Sequence, residues 1–184
     1  MRPMSASIEL ICHPVGVAPT KLAIKAQVQV LGNGGLQFSY EMAGASSLRI
    51  PPFTAPEAVD GLWQHTCCEA FVAGVGCADY REFNFAPSRC WAAYGFHGYR
   101  DRDLGWMAPE APAVDCILDG TADRLKLVAT VPASLLPDSP QLDISLTTVA
   151  EDREGQKSYW ALAHRAAQPD FHCRDSFTLR LNRS

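Results

Sequence analysis

The chain has 184 residues, of which 47% are apolar and 20% are charged, and its net charge is −4 at pH 7. This composition is typical of a globular protein and excludes a disordered, collagen-like or coiled-coil chain. The length is that of one domain, which we expect to span residues 1–184. An acidic protein lacks the positive field that attracts nucleic acid or an anionic membrane surface, so we expect neither as a partner.

The sequence contains no run of 18 apolar residues, so we expect no membrane span. Glu9 and Pro14 interrupt the apolar stretch that a signal peptide would need, and we therefore expect a cytoplasmic protein. The seven cysteines are odd in number, and none forms a C-x-x-C pair. They are expected to be reduced, mostly buried thiols, with no resident metal and no cofactor.

The first two predicted strands form a hairpin. Residues 25–30 (KAQVQV) and 37–42 (QFSYEM) alternate polar and apolar side chains, which is the period of a half-buried strand. Between them lies Gly32-Asn33-Gly34-Gly35, and an Asn-Gly pair at this place is a strong signal for a tight turn. The pattern predicts an antiparallel hairpin.

Further short strand-like segments follow along the chain, and turn residues separate them. This spacing is typical of a β-sandwich or barrel. One helical turn is expected over residues 132–136, whereas the prolines in residues 51–61 oppose regular structure. Residues 97–112 are predicted to be a long irregular loop of functional interest, carrying Trp106. The eight strand segments are residues 68–75, 80–86, 89–96, 113–118, 125–131, 142–150, 158–163 and 176–181.

Three sequence clusters carry a resemblance to a known family. They are residues 61–72 (GLWQHTCCEAFV), residues 80–91 (YREFNFAPSRCW), and residues 158–164 (SYWALAH) with the PDFH that follows at 169–172. In this order they resemble the DOMON-like superfamily, in particular its bacterial branch that is similar to family 9 carbohydrate-binding modules. The resemblance spans residues 62–181.

The resemblance implies an antiparallel β-sandwich of about ten or eleven strands with a binding cleft. In the sugar-binding relatives two aromatic rings enclose a terminal sugar, and Trp63 and Trp160 match these positions. Glu69 matches the acidic contact of the family. Such a set suits a pyranose, because its apolar C–H face stacks on indole while its hydroxyls need acceptors and donors.

Arginine could complete the polar rim of this cleft, since its planar guanidinium offers paired donors. The candidates are Arg81, Arg89 and Arg100, of which Arg81 and Arg100 join our predicted site. The resulting prediction is a domain without catalytic residues that binds a small ligand, most simply a sugar or a glycan-derived compound.

Three other functions stay open on the sequence. A haem-binding DOMON domain would hold iron through Met42 or Met107 with a histidine. An enzyme built on the Cys and His residues would need an acidified thiol. An interaction module with a vestigial cleft would bind a protein partner, whose identity the sequence does not give.

Two polar patterns also have alternative interpretations. Tyr80, Glu82 and Asn84 share one face of their strand, and that face is either solvated or lines a polar cleft. Asp101 and Asp103 could hold a structural calcium ion, but the interleaved arginines of this loop oppose it.

Overall fold

The computed structural model describes residues 7–183. Residues 1–6, which begin the segment considered above as a signal peptide, lie outside the described residues, and so does residue 184. The described chain is built almost wholly from strands, joined by turns and by short 3-10 helices of three residues each. The strands are β1 (Ile8–Glu9), β2 (Ile11–Cys12), β3 (Ala23–Val30), β4 (Leu36–Ala43), β5 (Cys67–Gly74), β6 (Tyr80–Phe85), β7 (Trp91–Gly98), β8 (Asp101–Asp103), β9 (Ala113–Asp119), β10 (Arg124–Val131), β11 (Gln141–Glu151), β12 (Lys157–Ala161) and β13 (Leu179–Asn182).

These strands form two sheets. The first sheet has the order β1-β3-β4-β10-β9, and the second has the order β2-β12-β11-β5-β6-β7-β8, with β13 also paired to β11. The strands pair antiparallel throughout both sheets, so the predicted antiparallel sandwich is confirmed. The count of thirteen exceeds the expected ten or eleven because β1, β2 and β8 have only two or three residues. Segments this short show no alternation in sequence.

The predicted hairpin is β3 with β4. Ala23 pairs with Ala43 at one end and Val30 with Leu36 at the turn, so the strands are in continuous register. The turn is closed by two main-chain hydrogen bonds: the Leu31 N–H donates to the Gly35 carbonyl, and the Gly34 N–H donates to the Leu31 carbonyl. The strand β10 pairs with the other edge of β4 and places the hairpin in the centre of the first sheet.

The main hydrophobic core lies between the two sheets. The first sheet contributes alternate residues of its strands, among them Phe38 and Leu127, and the second contributes Val72, Phe83 and Ile144. Each such side chain removed from water stabilises the fold by about 1.5–3 kcal/mol before conformational entropy is counted. The sandwich therefore holds the second sheet rigidly from one side.

The opposite face of the second sheet, its outer face, is also largely covered. Phe71, Tyr80 and Phe96 form a second apolar cluster there, and Phe177 from the C-terminal segment packs on it. This segment, residues 162–178, connects β12 to β13. The second sheet is thus packed on both faces, and the outer face carries the candidate site described below.

The irregular segments agree in part with what the sequence predicts. A 3-10 helix covers Ala133–Leu135 as expected, and residues 51–61 contain neither a strand nor a helix, only an isolated bridge from Ala58 to Trp91. Residues 97–112 are not wholly irregular, because β8 lies within them and pairs with β7. No helix within residues 7–183 is long and apolar enough to cross a membrane.

Candidate functional site

A cavity of about 620 Å³ opens on the outer face of the second sheet. Its size is within the range of small-molecule binding pockets. The floor follows from strand alternation, because every second residue of the central strands points to this face. It is formed by Glu69 and Phe71 of β5, Glu82 of β6, Tyr94 and Phe96 of β7, Val149 of β11, and Lys157 and Tyr159 of β12.

One wall is the short turn before β5. Trp63 lies in a 3-10 helix, Leu62–Gln64, and half of its surface is exposed although its ring lines the cavity. The turn begins at Gly61, whose φ of 77° lies in the left-handed region that a residue with a Cβ adopts only with strain. Gly61 therefore fixes the position from which the indole faces the floor.

The opposite wall is the C-terminal segment. Pro169, Phe171 and His172 line the cavity from it. Asp170 attaches this segment to the sheet, because its carboxylate accepts a hydrogen bond of 2.9 Å from the Arg100 guanidinium. The same carboxylate accepts one of 2.6 Å from the Tyr99 hydroxyl.

Two carboxyl groups lie on the floor. Glu69 pairs with Asn84 and Phe71 pairs with Glu82, so the two glutamates are diagonal neighbours on β5 and β6. Glu69 is 2% exposed and Glu82 6%. Oε1 of Glu82 accepts a hydrogen bond of 3.0 Å from Asn84, whereas Oε1 of Glu69 has no hydrogen-bond partner among the described residues.

This arrangement shifts both acids toward the neutral form. Burial, together with the charge of Glu82, raises the pKa of Glu69 well above its usual range. Burial likewise raises the pKa of Glu82 to about 7. Because neighbouring acids disfavour each other's ionisation, the pair carries at most about one negative charge near neutral pH.

His172 closes the site from above. Its Nδ1 lies 2.7 Å from the Tyr80 hydroxyl, and its Nε2 lies 3.7 Å from Oε2 of Glu82. Burial and the nearby Arg100 charge lower the pKa of His172 to about 4, so the ring is neutral at physiological pH. It therefore acts there as a hydrogen-bonding group and not as a counter-charge for the acids.

The structure brings three of the predicted residues together at this cavity and places two elsewhere. Trp63, Glu69 and Arg100 line it. Trp160 lies on the other face of β12, 7% exposed in the core between the sheets, where its Nε1–H donates to Oγ of Ser158 at 2.9 Å. Arg81 also lies away from the cavity and stacks on the Trp106 ring, 4.8 Å from its centroid.

Tyr159 is the aromatic residue that the sequence analysis missed. It neighbours Trp160 and lines the cavity beside Phe171, with ring centroids 6.1 Å apart. The alternation of side chains along a strand does place Tyr159 and Lys157 on the face opposite Trp160. The sequence alone did not say which face carried the cleft.

Trp106, on the long loop, does not cover the cavity. Its side chain packs on Gly95, where an added Cβ would lie 3.1 Å from the indole. Gly95 alternates with Tyr94 and Phe96, so this contact is on the face turned away from the site. A larger residue at position 95 would displace the indole.

The residues of the haem and thiol alternatives do not meet in the cavity. Met42 is buried in the core of the sandwich, and Met107 is 83% exposed. Cys67 is buried next to the site, and its burial raises the pKa of the thiol well above the usual value. Residues 7–183 contain no cluster of three or more His, Cys, Asp or Glu side chains arranged to hold a metal ion.

The structure also places the two polar patterns for which the sequence left alternatives open. Tyr80, Glu82 and Asn84 are all buried, so their common face is not a solvated one. The Asp103 carboxylate accepts hydrogen bonds from the main-chain N–H groups of Gly105 and Trp106. That carboxylate stabilises its own loop.

Comparison with known proteins gives structural neighbours. No protein-family model and no curated protein matches the chain. A protein from Bacteroides uniformis with a proposed carbohydrate-binding role is similar in structure, with a TM-score of 0.62 at 16% identity over 94% of this chain and 86% of that one.

Two solved structures of a family 9 carbohydrate-binding module from Caldicellulosiruptor kristjanssonii are also similar. The glucose complex has a TM-score of 0.53 at 11% identity, over 95% of this chain and 83% of that one. The cellotriose complex has a TM-score of 0.50 at 11% identity, over 84% of this chain and 72% of that one. The fold of this chain is therefore an antiparallel β-sandwich like that of the family 9 carbohydrate-binding modules.

Proposed function

We propose that this protein binds a carbohydrate, without transforming it, in the cavity on the outer face of its second sheet. One observation carries the proposal: aromatic rings wall a cavity whose floor holds two buried carboxyl groups, Glu69 and Glu82. The names of the structural neighbours, which describe a carbohydrate-binding protein and modules in complex with glucose and cellotriose, support it.

The chemistry of the cavity suits a pyranose. Trp63, Tyr159 and Phe171 offer ring faces for the C–H face of the sugar, and such aromatic surfaces contribute large contact areas at low entropic cost. Glu69, on the floor of the cavity, offers its carboxyl group to a hydroxyl. A protonated carboxyl group can also donate, so the acid pair can satisfy hydroxyls of either hydrogen-bonding sense.

Of the five residues predicted from the sequence, the proposal keeps Trp63, Glu69 and Arg100 as ligand contacts. Tyr159 takes the stacking role that the resemblance assigned to Trp160. Arg81 has no contact role in the proposal, because its guanidinium lies on the Trp106 ring. Membership of the DOMON-like superfamily and a cytoplasmic location stay predictions.

The test is a calorimetric titration of the full chain with neutral mono- and oligosaccharides, followed by analysis of the recovered sugars. We expect saturable binding and unchanged sugars. Trp63→Ala should weaken binding about fivefold or more, since a stacked aromatic ring in a binding site contributes about 1–3 kcal/mol. Trp106→Phe, outside the cavity, is the matched control and should bind as the wild type does.

Other outcomes would assign a different function. A flat titration with every sugar, neutral or charged, would contradict the proposal and favour an interaction module. Hydrolysed sugar would contradict the non-catalytic part of it. If the purified protein absorbs at about 400 nm, as a bound haem group would, the haem-binding alternative is favoured.

A further inference from the structure

The cavity has a cationic lining in which two side chains have no ion-pair partner among residues 7–183. Three cationic side chains, Arg100, Arg102 and Lys157, line it. Arg100 is neutralised by Asp170, which lies 2.9 Å from it. Arg102 and Lys157 form no ion pair or side-chain hydrogen bond with another residue in the part of the chain that the structure describes.

The acidic groups of the cavity do not contact these two cations, although the positive charge of Arg102 opposes the rise in the pKa of Glu82 from a distance. Glu69 and Glu82 are buried diagonal neighbours that together hold at most about one negative charge, as described above. The Asp60 carboxylate accepts a hydrogen bond of 2.8 Å from the Tyr94 hydroxyl at the rim. No carboxylate approaches the nitrogen atoms of Arg102 or Lys157 within 4 Å among residues 7–183.

Arg102 is held in a position suited to an anion. Its guanidinium carbon lies 4.2 Å from the centroid of the Tyr94 ring, a stacking that orients the planar group while leaving its N–H edges open. A guanidinium fixed in this way can donate two parallel hydrogen bonds to a planar oxyanion. Neutral hydroxyls can accept hydrogen bonds from it but bring no negative charge to the guanidinium.

Lys157 stands on the other side of the cavity. It lies on β12, whereas Arg102 lies on β8, and four further strands separate β12 from β8 in the sheet. At about 4.8 Å per strand, the main chains at these two positions are roughly 24 Å apart along the sheet. One pyranose therefore cannot contact the main chain at both positions, and the two cations can be tested separately.

Resting on the proposed carbohydrate-binding function, we infer that the sugar bound in this cavity is acidic, with its anionic group paired to the Arg102 guanidinium. The class is a pyranose that carries a carboxylate or a sulfate ester. Lys157 adds positive field from the other side and can receive a second acidic unit of a longer chain.

The experiment compares four sugars by calorimetry on the full chain: methyl β-D-glucoside, methyl β-D-glucuronide, glucose 6-sulfate and glucosamine. We expect an acidic sugar to bind at least about tenfold more tightly than the neutral glucoside, as a charge-assisted hydrogen bond implies. The tighter of the two acidic sugars identifies the anion. The preference should shrink when NaCl is raised from about 50 mM to about 500 mM.

Arg102→Gln should lower the affinity for the acidic sugars more than the affinity for the neutral glucoside, and so remove the preference. Arg81→Gln is the matched control, because it deletes an arginine of the same sheet that lies outside the cavity, and it should keep the preference. Lys157→Gln should lower the affinity for an acidic disaccharide more than for the acidic monosaccharide. A thermal melt confirms that each variant is folded.

The results separate this inference from the proposed function. Equal affinity for neutral and acidic sugars, tighter binding of glucosamine, or an intact preference in Arg102→Gln would overturn the inference while supporting carbohydrate binding. No binding of any of the four sugars would overturn both.

Discussion

Tyr159 and Trp160 are neighbours on β12, yet their rings lie on opposite faces of the second sheet. Tyr159 lines the cavity, and Trp160 is buried in the core against the first sheet. The separation follows from the pleat, which turns successive side chains to opposite faces. One adjacent pair thus divides between the proposed binding site and the stability of the fold.

Substitution of these two residues should give opposite results. Tyr159→Ala should weaken sugar binding about two- to thirteenfold, the equivalent of the roughly 0.5–1.5 kcal/mol of an aromatic contact, with little change in the free energy of unfolding. Trp160→Ala should lower the free energy of unfolding by about 3–5 kcal/mol. Calorimetry and urea unfolding measure the two quantities. A Trp160→Phe variant that folds normally yet loses sugar binding would contradict this division.

The buried Glu82 predicts a pH effect on stability. Because burial raises its pKa to about 7, the unfolded chain loses this proton from about pH 4.5 upward while the folded protein still holds it. Rising pH through this window therefore lowers the free energy of unfolding, by roughly 3 kcal/mol for a shift of this size. Glu82→Gln, which cannot ionise, should show a smaller decline.

Urea unfolding of both proteins at several pH values measures the difference. In both proteins, His172 contributes to the pH dependence with the sign opposite to that of Glu82. Because the pKa of His172 is lowered to about 4, the folded protein loses stability as the pH falls below about 6.5. Comparing wild type with Glu82→Gln measures the acid pair, because the charge of Glu82 also raises the pKa of Glu69. Equal dependence on pH in the two proteins would argue against a buried, proton-holding Glu82.

Asp170 should control the C-terminal wall of the cavity. Asp170→Ala removes the hydrogen bonds that this carboxylate accepts from Arg100 and Tyr99. We expect faster amide hydrogen exchange across residues 169–172 and at least severalfold weaker sugar binding, since a wall that is free to move must be ordered again. Asp138→Ala, an exposed acid outside the cavity, is the control. Unchanged exchange in Asp170→Ala would show that aromatic packing alone holds the segment.

The cysteines should differ sharply in reactivity. Cys77 is exposed, Cys12 and Cys173 are half-buried, and the other four are buried, with all seven free. Burial raises the pKa of the Cys67 and Cys68 thiols well above the usual value, which lowers the fraction of reactive thiolate. Labelling at neutral pH should therefore modify Cys77 first and these two only on unfolding. A fast-reacting Cys67 would revive the thiol-enzyme alternative.

The strands were predictable where an alternating pattern or a continuous apolar run, as in β5, lasted for five residues or more. The β3–β4 hairpin was the clearest case, since the Asn33-Gly34 turn and the period-two pattern agree. Short strands such as β8 could not be predicted, because three residues carry no period and pairing with β7 alone makes them strands.

The site was predictable in part. Trp63 and Glu69 stand next to the start of β5, where the sequence motif is dense, and both line the cavity. The family resemblance gives the second stacking role to Trp160, but the sequence does not state which face of β12 is the outer one. The contribution of His172 depends on how residues 162–178 cross the sheet, which only tertiary packing decides.

The strand β5 suggests how this protein could change its ligand. Glu69 and Phe71 face the cavity, while Cys68, Ala70 and Val72 fill the core. Substitutions at the first set reshape recognition without removing the contacts that hold the two sheets together. Phe71 is itself buried in the second apolar cluster, so its replacement also lowers the free energy of unfolding. Glu69 is therefore the position of β5 at which the proposed recognition can change while the contacts between the two sheets are kept.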